Sequence, residues 1–420
     1  MKFLKSGTKK LIFAFVILST QAKAQTLSLN EVLEAVERNN PLIASYNYKI
    51  SAANALASGA RSWMPPMIGI GFDQTPYRIA NNEGFFNRNE GSVLVFLEQD
   101  IPNPAKLKAK QNYLSSLAAI DSTDIGFTKN QLFTEAKTAY IERFIAEKRL
   151  KIIKEEFDLL DLMFQSSINE YTLNQSDLTT IYKLQARQHT LEAMEAHEVS
   201  AIKEATVKLN YLMNLPQGTT FTIDSIIPFH GYKLSNLDTT TAFIASRRND
   251  ILKIERTVSA MRLNNLVTLL SANPDFGIRY EHFDMFGNRN AFSLMGWVTI
   301  PIAPWSVKNY KSESRSIVYQ IEAMNFEKQN RINEARSAMY QALLLTMAEY
   351  EEVYHYEKEI IPAYKKAFQT GLLAYRENTG TLMSSLLAWD DLIMAQTEYL
   401  YHLEQTYKAE ITYESTIEKR

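Results

Sequence analysis

The sequence predicts an elongated, mainly α-helical protein with a small β part, and three observations lead to this fold class. Two stretches of roughly 70 residues, 106–172 and 306–374, contain almost no glycine or proline. Two pairs of short segments alternate apolar and polar residues with a period of two. Motifs of the first half of the chain recur in the same order in the second half.

The two glycine-poor stretches predict very long helices. The first contains one glycine, Gly126, and no proline, whereas the second is interrupted by Pro362 and Gly371. At a rise of 1.5 Å per residue, such a helix extends roughly 100 Å, too long for a compact globule. Apolar residues recur at spacings of three and four, the pattern of a packed helical face. Shorter flanking helices are predicted at residues 29–62, 176–214, 240–272 and 381–414.

The alternating segments predict strands with one apolar face. In segments 67–73 and 275–281, apolar residues alternate with glycine and charged residues. The apolar members, which we predict to face a membrane, are Ile68, Ile70, Phe72, Phe276, Ile278 and Tyr280. A second apolar run follows each segment, and each second run is near ten residues long, the length that a tilted strand needs to cross a bilayer. We therefore predict two β-hairpins, at residues 66–101 and 274–301.

The order of the motifs predicts an internal duplication. The Pro-x-x-Gly-Ile motif at 66–70 recurs at 274–278, and the Ile-Pro pair at 101–102 recurs at 300–301. The sequence therefore divides into a first repeat, 25–235, and a second repeat, 236–420. Each repeat is expected to contain a helix, a β-hairpin, a very long helix, a helical tip and a returning helix.

The N-terminal residues 1–24 are typical of a cleaved secretory signal peptide. Four lysines precede an apolar run at residues 11–18 that is too short to span a bilayer as a helix. Ala22 and Ala24 form an A-x-A cleavage motif, which predicts a mature chain that starts at Gln25. The alternative is an uncleaved membrane anchor.

The composition argues for a folded protein without catalytic chemistry. Of the 420 residues, 46% are hydrophobic and 22% charged, which fits a folded chain. The chain has no cysteine, which excludes disulfides and thiolate metal sites, and its net charge of −2 gives no reason to expect nucleic-acid binding. The pair Gly69 and Gly71 lacks the third glycine of a dinucleotide-binding loop. His189 and His197 would lie about 12 Å apart along one helix, too far for one metal ion. We expect no enzyme activity, cofactor or metal site.

Two segments of the sequence resemble the outer-membrane efflux proteins of the TolC family. Residues 27–41, which contain Leu-Ser-Leu-Asn-Glu-Val-Leu-Glu-Ala and end in Asn-Asn-Pro, are similar to the start of that family. Residues 375–399 resemble its second hairpin-tip motif through the five residues Gly380, Leu386, Ala388, Leu392 and Ala395. The resemblance extends over essentially the whole mature chain and includes the duplication. Segments 64–67 and 99–102 are, in addition, similar to the heavy-metal efflux subgroup.

The resemblance implies an architecture, a function and a set of partners. Four strands per subunit are expected to form one 12-stranded transmembrane β-barrel in a homotrimer, continued by an antiparallel α-helical barrel. The implied function is a passive duct of a tripartite efflux or type I secretion system in the outer membrane of a Gram-negative bacterium. The implied partners are outer-membrane lipid, a periplasmic adaptor (membrane fusion protein) and an inner-membrane pump of the resistance-nodulation-division type.

The resemblance also places a gate at the periplasmic tip. The acidic pore positions of the family fall on Ser384 and Leu387, so the acids are absent at the matched places. Asp390 and Asp391 follow within one turn, and Asp177 lies in the first tip. A ring of three carboxylates at such a tip would favour cations. The alternative is that these acids are solvated surface charges.

A periplasmic coiled-coil adaptor or interaction protein is the main rival interpretation. It would account for the long helices and the export signal. It would not account for two hairpins of bilayer length at equivalent points of a duplication.

Overall fold

The computed structural model describes residues 26–75, 90–172, 178–227, 246, 248–377 and 379–418. The predicted signal peptide with Ala22 and Ala24, and the tip residue Asp177, lie outside the described residues. The elements up to residue 227 are β1 (Thr26–Leu27), α1 (Leu29–Asn39), α2 (Pro41–Gly59), β2 (Met67–Asp73), β3 (Ser92–Ile101), α3 (Pro104–Thr172), α4 (Leu178–Leu212) and β4 (Thr222–Ile223). The later elements are α5 (Asn249–Leu269), β5 (Asp275–Met285), β6 (Ala291–Thr299), α6 (Pro304–His355), α7 (Ile361–Arg376) and α8 (Leu382–Thr416).

The first predicted long helix is present as α3, which has 69 residues and therefore extends about 100 Å. It contacts α1, α2, α4, α5 and α8 along its length. One apolar cluster surrounds its middle and includes Val32, Val36, Tyr140, Leu209 and Ile411. A second cluster lies further towards the C-terminal end of α3 and includes Ile153, Leu160, Leu184, Leu191 and Trp389. The core is therefore distributed along a helical rod.

The helix predicted at 29–62 is two helices, which corrects the sequence-based expectation. Asn40 separates α1 from α2 with an extended backbone (φ −69°, ψ 123°), because the ring of Pro41 disfavours the helical conformation in the preceding residue. The Asn40 side chain accepts a hydrogen bond from the Leu42 amide at 3.0 Å. It also donates one to the carbonyl of Leu212 at 3.0 Å, which holds the break against the end of α4.

The second long helix is present in two parts joined by a wider turn. Helix α6 has 52 residues, and a π-helical turn at Tyr356–Ile360 leads into the 16 residues of α7. Pro362 has no amide hydrogen, and its ring would collide with the carbonyl oxygen four residues earlier in a regular helix. A π turn just before the proline relieves that collision while the helix continues.

The four predicted strands form one antiparallel sheet in the order β2-β3-β5-β6. Both predicted hairpins are present, as β2 with β3 and β5 with β6. Strand β3 also pairs with β5, in a register that sets Gln99 opposite Ile278, and this pairing joins the two halves of the chain. A separate parallel pair, β1 with β4, was not predicted and sets Thr26 opposite Thr222.

Candidate functional site

One face of the four-stranded sheet is apolar and exposed. Ile68, Ile70 and Phe72 of β2 are 73%, 77% and 57% exposed, and the register sets Leu97 opposite Ile68 and Val95 opposite Ile70. The exposed apolar side chains that share this face are Ile68, Ile70, Phe72, Val95, Leu97, Phe276, Ile278, Tyr280, Phe292, Leu294 and Val298. Its polar members include Gln99, His282 and Asp284. All six side chains predicted to face a membrane therefore lie together on one continuous surface.

The opposite face carries charged residues at the centre of the sheet. Glu98 and Arg279 are directly paired, with 3.7 Å between the Glu98 Oε2 and Arg279 Nη1 atoms. The Nε atom of Arg279 lies 3.0 Å from Oε1 of Glu281, and its guanidinium carbon lies 4.3 Å from the centre of the Phe96 ring. The sheet is thus amphipathic, with an ion-paired face behind the apolar one.

Two glycines of the alternating segments are covered by aromatic rings on this charged face. A β-carbon on Gly69 would lie 2.3 Å from Cε1 of Phe96, and one on Gly277 would lie 2.1 Å from Cζ2 of Trp297. An aromatic ring across a strand glycine protects the backbone that the missing side chain leaves open. The glycines therefore serve sheet packing, and the Gly69-x-Gly71 motif lies within a strand and not in a phosphate-binding loop.

The second tip is held by local hydrogen bonds at the start of α8. The Thr381 side chain accepts from the Ser384 amide at 3.2 Å, and the Ser384 hydroxyl donates to the Thr381 carbonyl at 2.7 Å. Leu387, one turn further on, is 59% exposed. Ser384 therefore helps to cap the helix, while Leu387 presents an apolar side chain at the surface of the subunit.

Asp390 and Asp391 have different surroundings, which the sequence did not reveal. The carboxylate of Asp390 lies 3.5 Å from Nη2 of Arg187 on α4, and the same Nη2 lies 3.7 Å from Oε2 of Glu156 on α3. The Arg187 guanidinium also stacks 5.6 Å from the Trp389 ring. Asp391 is exposed. Asp390 thus belongs to an ion-pair cluster that joins three helices, and a pore-lining role for either acid stays a prediction.

Glu156 is the buried member of this cluster. It is 3% exposed. The pKa of its carboxyl is raised from 4.5 to about 7. Burial has the largest effect and raises the pKa, the nearby Arg187 lowers it, and Asp390 raises it further. An acid with this pKa changes its charge near neutral pH. Sequence analysis missed both Glu156 and Arg187, since nothing in the local pattern separates them from the solvated charges of a long helix.

Neither a metal-binding cluster nor a membrane-spanning helix is found among the residues that the structure describes. Over the part of the chain that the structure describes, no three His, Cys, Asp or Glu side chains lie close enough to hold a metal ion. Within the same residues, no helix combines the length and the apolarity that crossing a membrane requires.

The chain is similar in structure to several known proteins. No protein-family model matches the chain, and no curated protein matches it. The structure is similar to the outer-membrane channel OprN, with a TM-score of 0.76, 15% identity, and 93% of this chain and 90% of that chain covered. It is similar to the outer-membrane protein VceC from the bacterial pathogen Vibrio cholerae, with a TM-score of 0.72, 12% identity, and 93% and 95% covered. For CusC, studied for its folding and transmembrane channel formation, the TM-score is 0.72 at 14% identity, with 93% and 91% covered.

At these identities the comparisons establish the fold. The chain has the fold of these outer-membrane channels over nearly its whole length. The expected combination of a mainly helical body with a small antiparallel sheet is therefore confirmed.

Proposed function

We propose that the chain is one subunit of an outer-membrane efflux channel of the TolC family. In this proposal, three subunits form a passive duct that carries substrates from the periplasm, or from an inner-membrane pump, to the exterior. The observation that carries the proposal is the amphipathic four-stranded sheet, whose exposed apolar face and ion-paired opposite face belong to a chain with the fold of outer-membrane channels.

The free edges of the sheet support a homotrimer. Within the described residues, β2 and β6 each pair with one neighbouring strand, so each leaves one edge unpaired. A sheet inside a bilayer cannot leave such edges open, because nothing there satisfies the backbone groups. Four strands are too few to close around a channel, whereas three copies joined from β6 to β2 give 12 strands. Each repeat, 25–235 and 236–420, would contribute one hairpin per subunit.

The two faces of the sheet then have distinct environments. The apolar face that contains Ile70 and Ile278 would contact outer-membrane lipid. The face that contains Glu98, Arg279 and Glu281 would line a water-filled lumen, where charged side chains remain hydrated. This assignment avoids the cost of placing an ion-paired cluster in hydrocarbon, which is several kilocalories per mole for a charged group.

The helical rod supports the periplasmic part of the proposal. Helix α3 leaves the sheet at residue 104 and extends about 100 Å, so the tips would lie deep in the periplasm. There they would meet a periplasmic adaptor and an inner-membrane pump of the resistance-nodulation-division type, in a Gram-negative cell that exports the chain with a cleaved signal peptide. Leu387, Asp390 and Asp391 are the proposed gate residues of the second tip.

The heavy-metal subgroup is proposed from the sequence resemblance alone. The two segments that carry this resemblance, 64–67 and 99–102, lie together, because the Gln99 side chain donates a hydrogen bond to the Met64 carbonyl at 3.0 Å. This contact holds the chain before β2 against the end of β3. It is a structural contact and gives no information on the exported substrate.

Purification from membranes followed by two measurements tests the proposal. We expect the protein to stay with membranes in carbonate, to dissolve in detergent as a particle of three subunits by light scattering, and to conduct ions in planar bilayers. Release by carbonate as a monodisperse monomer without conductance would favour the periplasmic adaptor instead.

A further inference from the structure

A groove away from the sheet lies between three helices. It has a cavity volume of about 390 Å³ and is lined by residues of α3, α4 and α8. Its apolar wall includes Ile153, Met194 and Leu400. This volume is within the range of small-molecule sites, about 300–1,000 Å³. No residue of the sheet and no proposed gate residue lines this groove, and Glu156 of its lining shares Arg187 with Asp390.

Three carboxylates line the same groove. They are Glu156, Glu198 and Glu398. Glu156 and Glu198 are 3% and 8% exposed, and the Oε2 atom of each is buried without a hydrogen-bond partner. The other oxygen of Glu198 lies 3.4 Å from Nδ1 of the exposed His197. The Oε2 atom of Glu156 already faces Nη2 of Arg187 at 3.7 Å. A buried carboxylate oxygen without a partner is costly, so Oε2 of Glu198 is the acceptor that a donor from a ligand would satisfy.

The nearby arginines are already shared with other acids. Arg149 itself lines the groove, and its Nη2 atom lies 2.8 Å from Oε2 of Glu404 on α8. Arg187 is divided between Glu156, at 3.7 Å, and Asp390, at 3.5 Å. Acidic groups therefore outnumber cationic groups around the groove, and the site favours a positively charged ligand.

The arrangement fits an organic cation better than a metal ion. A metal would need three or more ligands around one point, and the described residues contain no such group. Here the carboxylates stand beside an apolar wall, and the exposed Tyr401 adds an aromatic side chain at the cavity edge. A ligand with an ammonium group and an apolar body matches both parts of this lining.

We propose that the groove between α3, α4 and α8 binds an amphiphilic organic ammonium ion, one per subunit. The ammonium group is placed at Glu198, where it donates to the unpartnered Oε2 atom, and Glu156 adds negative charge to the same groove. The apolar body lies against Ile153, Met194 and Leu400. The lining residues belong to the helices and not to the sheet.

Fluorescence titration of the purified full-length protein in a non-ionic detergent tests this site. The probe is dansylcadaverine, which has a primary ammonium group and a dansyl ring whose emission rises in apolar surroundings. We expect saturable binding with about one probe per chain. Glu198→Gln keeps the shape and removes the charge, so it should weaken binding roughly tenfold or more. Glu192→Gln, on the exposed side of the same helix, is the matched control and should leave the affinity unchanged.

An uncharged probe and a cationic substitution in the groove test whether charge determines the binding. N-acetylated dansylcadaverine keeps the apolar body but has no charge, so it should bind at least roughly tenfold more weakly. Met194→Arg places a cationic side chain in the groove beside the carboxylates and should abolish binding, provided that circular dichroism shows a folded protein. Equal affinity for the charged and acetylated probes, or unchanged binding by Glu198→Gln, would overturn the proposal. Glu198→Gln leaves the sheet and the Arg187–Asp390 pair intact, so the subunit number and the conductance should be unaffected. Failure of this site is therefore distinguishable from failure of the channel.

Discussion

Replacing the buried Glu156 by glutamine removes a titrating carboxyl and keeps its size. Three elements present charged groups to this side chain or share its cavity: Arg187 and Glu198 lie on α4, Asp390 lies on α8, and Arg149 lies on α3 itself. The variant therefore isolates the effect of one proton at the junction of three helices.

The magnitude follows from the shift of the Glu156 pKa, from 4.5 to about 7. One pKa unit corresponds to about 1.4 kcal/mol, so ionisation of the folded protein costs on the order of 3 kcal/mol relative to the unfolded chain. Between pH 4.5 and 7 the folded state binds more protons than the unfolded state, so the free energy of unfolding decreases as the pH rises through this window. Above about pH 7 this contribution is constant. Glutamine has no such titration, so Glu156→Gln should be more stable than the wild type at pH 8 and nearly equal to it at pH 5.

Thermal unfolding by far-ultraviolet circular dichroism measures this difference. Unfolding of a large protein is often irreversible, so midpoints are compared at one scan rate. The matched control is Glu155→Gln, since the Glu155 side chain is 67% exposed and pairs loosely with Lys151 at 3.9 Å. If wild type and Glu156→Gln lose the same stability between pH 5 and pH 8, the carboxyl does not titrate in this window and the reasoning is refuted.

Three other predictions concern the sheet and the tip. Gly277→Ala places a β-carbon 2.1 Å from the Trp297 ring, so it should displace the indole, shift tryptophan emission and cost about 1–3 kcal/mol. Ile70→Arg puts a charge on the apolar face that we propose to contact lipid, and it should cost about 2–4 kcal/mol near the bilayer midplane, seen as less assembled protein in the outer-membrane fraction. Asp390→Asn combined with Asp391→Asn should lower the cation preference of the proposed channel in planar bilayers.

Each of these three predictions has a control variant or a result that would contradict it. Gly71→Ala meets no atom within 4 Å and should leave emission and stability unchanged; a similar change in both glycine variants would disprove the role of the ring. Ser293→Arg, on the ion-paired face of the sheet, should assemble normally, and equal assembly of Ile70→Arg would show that the faces are assigned wrongly. Unchanged ion selectivity of the double variant would make the two acids surface charges and direct attention to Leu387.

Local patterns predicted most of the fold of this chain. Helix α3 follows from a long stretch with one glycine and no proline, and the strands follow from alternation around Gly69 and Gly277. These features depend on residues a few positions apart, so the sequence shows them directly. The break at Asn40 was also encoded locally, because the following proline restricts the backbone, but the apolar periodicity continues through it and suggested one helix.

Only the tertiary structure decided which distant segments meet. The pairing of β3 with β5 joins the two hairpins, and the parallel pair of β1 with β4 connects residues 196 positions apart. Glu156, Arg187 and Asp390 come from three helices and form one cluster around a buried carboxyl. The sequence identified Asp390 as a tip acid without its partner. Periodicity defines which face of a helix is buried, but it leaves open how far neighbouring helices slide along one another, and that register determines which charges become partners.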